Sequence, residues 1–90
     1  MVFKKLDGEI MIKVGEKLRQ LRINKKLTQQ ELAQVVGVNR RLIGEIEAGK
    51  GTSLLVFIKI LKTFNKTDKL LELLESSSIS PRDMFRKSNR

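Results

Sequence analysis

The stretch from Thr28 to Gly49 constrains this chain more than any other. Two short runs with helical spacing, Gln29 to Val36 and Arg40 to Ala48, are separated only by Gly37-Val38-Asn39. Two helices joined by so short a turn must cross at a steep angle. The crossing needs a small residue where the backbones approach, and Ala33 is there. It needs a residue that accepts a left-handed turn, and Gly37 supplies it. It needs apolar residues to seat one helix on the other, and Leu32, Val36, Val38, Ile43 and Ile46 fall at those positions. Thr28, with Glu31 three residues on, has the pattern of a capping box, and Asn39 is a preferred cap for the second helix.

The flanking sequence predicts three more helices. Val14, Leu18 and Leu21 make an i, i+4, i+7 stripe over about 14–25. Ser53 caps a helix over about 54–64, with Leu54, Phe57, Ile58, Leu61 and Phe64 inward. Thr67 caps a fifth over about 68–75, carrying Leu70, Leu71, Leu73 and Leu74. Residues 1–12 have no clear period and read as an N-terminal extension. Residues 13–75 form the domain. Residues 76–90 read as a basic, flexible C-terminal tail. The expected fold class is all-α, with five short helices and no internal repeat.

Composition narrows the function. With no Cys and no His, the chain lacks thiol nucleophiles, the commonest general base and the usual zinc ligands. Ser76-Ser77-Ser78 has no His to activate it, and Gly49-Lys50-Gly51-Thr52 is far short of a phosphate-binding P-loop. The expectation is a protein that is not an enzyme and uses no metal and no cofactor. Lys and Arg number 19 against 10 Asp and Glu, a net charge of +9, which suits a polyanionic partner. The longest apolar run, Leu54 to Ile58, is far too short for a bilayer span. No secretory signal is visible, so the expected location is cytoplasmic and nucleoid-associated.

The segment LTQQELAQVVGVNRRLIGEIEAGK, with its TQ-x-ELA opening, glycine turn and E-x-GK close, resembles the helix-turn-helix of the phage repressor/Cro (Xre-type) family. The resemblance covers about residues 14–75. It implies a five-helix, lambda-repressor-like domain that places the third helix in the DNA major groove, and a dimer on a palindromic operator, acting as a transcriptional repressor. The residues of that helix agree with this. Arg40 and Arg41 put positive charge at a helix N-terminus, against the macrodipole, at about 0.3–1 kcal/mol each. Such a choice makes sense where they meet an acceptor-rich surface, because Arg offers a bidentate fork to guanine. Carried over position by position, the base-reading set is Arg40, Arg41 and Glu45, with Leu42 toward a thymine methyl. Gly44 stands where longer side chains are frequent in the family. The phosphate set is Gln29, Asn39, Lys50 and Thr52. Ala48 replaces a common Asn, removing one such contact. The family further implies a structural pair between Arg22 and Glu47.

The partners expected are double-stranded DNA and a second copy of the chain. Candidate dimer surfaces are Leu70, Leu71 and Leu74, the N-terminal Val2-Phe3 and Ile10-Met11-Ile12, and Ile79, Met84 and Phe85 of the tail. The GKGTSL segment and the S-I-S-P-x-x-M-F tail also resemble HipB-type antitoxins. That alternative implies a HipA-like kinase toxin as partner and autorepression of its operon. A third reading is a protein–protein adapter without DNA binding, against which Arg40, Arg41 and the +9 charge stand.

Overall fold

A computed structural model describes residues 6–75 of the chain. They form five helices and, among the described residues, no strand: α1 (Asp7–Asn24), α2 (Gln29–Val36), α3 (Arg40–Glu47), α4 (Leu54–Thr63) and α5 (Thr67–Leu74). The basic tail, with Ile79, Met84 and Phe85, and the Val2-Phe3 pair lie outside the described residues.

The first helix starts about two turns earlier than its stripe suggested, so residue 12 lies inside it. Asp7 and Glu9 place negative charge at the positive end of the helix dipole. The Leu6 N–H donates to the Glu9 carboxylate at 3.2 Å, which satisfies one of the free donors there. The consecutive triplet Ile10-Met11-Ile12 concealed the helical period. Its side chains are exposed, yet the ideal Cβ position of Gly49 lies 2.9 Å from Ile12 Cα. Met11 and Ile12, in the second of the added turns, therefore lie against the segment that follows α3.

The core follows the expected stripes in α1 to α3. Leu18, Leu32, Ala33, Val36, Ile43 and Ile46 are buried, joined by Ile60, Leu61 and Phe64 from α4. Ala33 is wholly inaccessible, as the close crossing of α2 and α3 requires. In α4 the inward face is rotated from the expected one. Leu54 is 69% exposed and Ile60 only 1%. Phe57, Ile60, Leu61 and Phe64 make an i, i+3, i+4, i+7 stripe, and Leu54 sits ahead of it on the first turn. The expected Thr67 cap also fails. Lys66 precedes α5, and the Thr67 hydroxyl is buried with no hydrogen-bond partner. Leu70 of α5 is half-buried, while Leu71, Leu73 and Leu74 are exposed.

The ends of α1, α2 and α3 are closed by left-handed residues. Gly37 ends α2 at φ 89°, its N–H bonded to the Ala33 carbonyl at 2.8 Å. After α3, Gly49 (φ 91°) donates to Ile46 and Lys50 to Glu45, both at 3.0 Å, the bond pattern of a Schellman motif. The same pattern ends α1, but there the left-handed residue is Lys26 (φ 62°).

Candidate nucleic-acid interface

Helix α3 has two faces and two ends with different fates. Ile43 and Ile46 are in the core, and Glu47 is buried beside Arg22. Arg22 Nε donates to Glu47 Oε2 at 2.7 Å and its Nη2 to Oε1 at 3.1 Å, while its Nη1 donates to the Leu27 carbonyl at 2.8 Å. This is a bidentate pair with charge-assisted hydrogen bonds. The hydrogen bond that Arg22 donates to Glu47 pushes its guanidinium above its ordinary pKa, against the opposing effect of burial. The pair ties α1 to the last turn of α3. Backbone packing reinforces it. A Cβ on Gly15 would stand 2.5 Å from the Glu47 carbonyl oxygen and 2.7 Å from that of Ile46. Only glycine lets α1 approach so closely, and the sequence reading passed over it. The available signal was a glycine next to Val14 on the apolar stripe.

The opposite end of α3 opens outward. Asn39 caps it, its side-chain oxygen accepting from the Leu42 N–H at 2.8 Å. Arg40 is exposed, and the side chain of Arg41 is 84% exposed. Arg41 Nε meets Glu45 Oε2 at 3.2 Å, an i, i+4 surface pair worth only tenths of a kcal/mol, about 0.2–0.5. Such a pair yields readily to a better acceptor. Leu42 is half-buried against the core, so only part of it faces out.

Between these ends lies a contact that the sequence reading did not anticipate. Gln29, the first residue of α2, donates from Nε2 to Glu47 Oε1 at 3.1 Å and accepts from Arg40 Nη1 through Oε1 at 3.0 Å. Arg40, Gly44 and Glu47 share one face of α3 by their spacing of four and three. An ideal Cβ on Gly44 would lie 3.8 Å from both polar atoms of the Gln29 amide. Glycine inside a helix costs about 1 kcal/mol relative to alanine. A Cβ at position 44 would be in ordinary van der Waals contact with the amide, so alanine would fit there as well. Thr28 caps α2, accepting from the Glu31 N–H at 3.0 Å while its own N–H donates to the Glu31 carboxylate at 2.8 Å. Lys50 and Thr52 are exposed on the segment after α3. Gln29, Arg40, Arg22 and Glu47 are thus brought together. Arg41 and Glu45 form a separate pair, and Lys50 and Thr52 stand apart from both.

The Helix-turn-helix family model matches residues 18–71. The chain belongs to the Xre-type helix-turn-helix family. Its helix-turn-helix is α2, the Gly37-Val38-Asn39 turn and α3, and it is a DNA-binding domain. An HTH-type transcriptional regulatory protein of Methanospirillum hungatei is 37% identical over 65 residues, which is 71% of this chain and 21% of that protein. The HTH-type transcriptional activator BcrR of Enterococcus faecalis is 42% identical over 50 residues, 56% of this chain and 24% of that one. The chain thus spans less than a quarter of the length of either relative. Among solved structures, the restriction-modification controller protein C.AhdI of Aeromonas hydrophila matches with TM-score 0.58 and 34% identity, over 61% of this chain and 81% of that one. No helix among the described residues is long and apolar enough to cross a membrane. No metal-binding cluster of acidic side chains occurs among them either.

Proposed function

We propose that this helix-turn-helix chain binds double-stranded DNA sequence-specifically as a homodimer and regulates transcription from a palindromic operator. The observation that carries this reading is the outward first turn of α3, where two arginines against the helix dipole stand exposed while the rest of the helix is anchored. In the complex α3 enters the major groove. Arg40 and Arg41 present their forks to guanine edges. Glu45 accepts from a cytosine amine or steers Arg41, and the exposed part of Leu42 meets a thymine methyl. Lys50, Thr52, the N-terminus of α2 with Gln29, and the free amide N–H groups of Asn39 take phosphates.

One such domain reads few base pairs, and a two-fold dimer sets two recognition helices about 34 Å apart in successive grooves. Exposed leucines offer the surface for the second copy: Leu71, Leu73 and Leu74 on α5, with Leu54 and Leu55 at the start of α4. An operator overlapping a promoter then gives repression by blocking polymerase. The test is selection of bound duplexes from a random-sequence pool, followed by footprinting and sedimentation of the complex. The expected result is an inverted repeat bound by two chains, with affinity falling steeply as salt rises. A pool that stays random after selection would falsify the reading.

A further inference from the structure

We propose that Met11 and Ile12 are positioning residues for the phosphate grip: from the second turn of α1 they hold the Gly49–Thr52 segment on the track that presents Lys50 and Thr52 to the DNA backbone. The inference rests on the functional reading above, which gives phosphates to Lys50 and Thr52, and adds to it the device that orders them. Lys50 stands between two left-handed glycines, Gly49 at φ 91° and Gly51 at φ 73°. Glycine is the most permissive residue, so a lysine flanked by two of them wanders unless something outside holds the backbone. The first half of the segment is tied to α3, where the Gly49 and Lys50 N–H groups donate to the Ile46 and Glu45 carbonyls at 3.0 Å. The second half has no such tie. Among the described residues, neither the Gly51 nor the Thr52 N–H has a backbone partner. Helix α1 supplies the hold. Ile12 Cα and Cγ1 each lie 2.9 Å from the ideal Cβ position of Gly49, so Ile12 fills the space that this glycine leaves. Met11 Cε lies 3.8 Å from the ideal Cβ position of Gly51. Both glycines thus turn towards α1, while Lys50 and Thr52 stand exposed. Met11 and Ile12 are outside the buried core and are themselves 37% and 49% exposed. Apolar side chains so exposed add little to the core, but they give a glycine-rich segment a surface to rest on. A segment ordered before binding has less freedom to lose on the DNA, and the affinity gained that way is independent of base sequence.

The experiment uses the full chain and two duplexes of equal length, one enriched from a random-sequence pool and one scrambled. Each is titrated over a series of salt concentrations. Lys50→Ala sets the scale: losing one phosphate contact weakens both duplexes alike and makes the plot of log affinity against log salt shallower by about one. The double variant Met11→Ala/Ile12→Ala changes no group that meets DNA, yet should do the same, with about tenfold weaker binding to both duplexes and a shallower salt slope. Adding Lys50→Ala to it should then cost little more, as expected for residues that act through one contact. The conservative pair Met11→Leu/Ile12→Val keeps the apolar surface and should bind as the wild type does. Urea midpoints measured in parallel allow binding to be compared per folded chain, and Met11→Ala alone repeats the test where the double variant melts early. A lower midpoint with the wild-type salt slope assigns both side chains to the fold alone and overturns the inference. So does a Lys50→Ala effect of full size in the double variant. In both cases the wild type still binds with steep salt dependence, and the functional reading stands. A wild type that binds neither duplex, or binds them without regard to salt, overturns that reading and this inference with it.

Discussion

The two ends of α3 belong to one helix of eight residues and are built on opposite principles. At its C-terminal end, Ile46 and Glu47 are buried, α1 comes close enough that Gly15 has no room for a Cβ, and Arg22 holds the carboxylate with two hydrogen bonds. At its N-terminal end, Arg41 reaches into solvent with one weak surface pair. The difference teaches where a helix of this kind gets its accuracy. The direction of the helix is fixed by packing at the end buried against α1, while at the other end Arg41 is left exposed. The exposed end costs little stability when changed, and the buried end costs a great deal. Substitutions at the two ends should therefore separate stability from binding.

The largest effect is expected for Glu47→Ala. It leaves the Arg22 guanidinium buried without its partner, which typically costs about 3–5 kcal/mol. Total stability of a small domain is about 5–15 kcal/mol, so the variant should lose a large share of its stability. Urea titration followed by circular dichroism measures this. A midpoint equal to that of the wild type would mean that the buried end of α3 does not depend on the pair.

Gly15→Ala tests the same end through packing alone. The added Cβ would stand 2.5 Å from the Glu47 carbonyl oxygen, against backbone that cannot swing aside. Overpacking of this kind costs about 1–3 kcal/mol, partly offset by the better helix propensity of alanine. Thermal melting should show a lower Tm with the charge pairing chemically intact. No change in Tm would show that α1 can shift without loss, and that the approach is looser than the distances imply.

At the exposed end, Arg41→Ala should leave stability within about 0.5 kcal/mol of the wild type, because it removes only a surface pair. Binding should fall by about 1–3 kcal/mol on the selected duplex and much less on a scrambled one. Titration of both duplexes with the folded variant checks it. Equal losses on the two would take Arg41 out of the base-reading set and leave it a general attraction for phosphate.

Much of this arrangement was legible in the residues, and what was not has physical causes. Ala33, Gly37 and the stripe through Ile43 and Ile46 each answer a local requirement of a tight crossing, so the α2–α3 corner could be read directly. The start of α1 could not, because Ile10, Met11 and Ile12 are consecutive and show no period. Their place is decided by the segment after α3, which is distant in sequence. Leu54 shares the face of Phe57 and Leu61 but lies on the first turn of α4, where it is exposed, and the buried position three residues after Phe57 is taken by Ile60. The pairing of Arg22 with Glu47 followed from the family resemblance. The Gln29 amide bridging Glu47 and Arg40 did not, since its orientation depends on two partners on another helix. The spacing of Arg40, Gly44 and Glu47 on one face was the only trace of it in the chain.

The smallest expected effect compares the ends of two helices that share a closure. Both α1 and α3 finish with a left-handed residue, Lys26 at φ 62° and Gly49 at φ 91°, and the same pair of backbone hydrogen bonds follows each. Glycine takes this conformation freely, whereas a residue with a Cβ is held there at a cost of about 1 kcal/mol or more. At Gly49 no choice exists, because a Cβ would stand 2.9 Å from Ile12 Cα. Lys26 is exposed, so the strain at that end is conformational and a glycine can relieve it. Lys26→Gly should therefore raise stability by roughly 0.5–1 kcal/mol, less the entropy that a glycine adds to the unfolded chain. It should move the urea midpoint upward without altering preference among duplexes. If the midpoint falls instead, the lysine stem contributes packing that outweighs the strain, and the buried end of α3 is then the only one of the two helix ends where the choice of residue is dictated by the backbone.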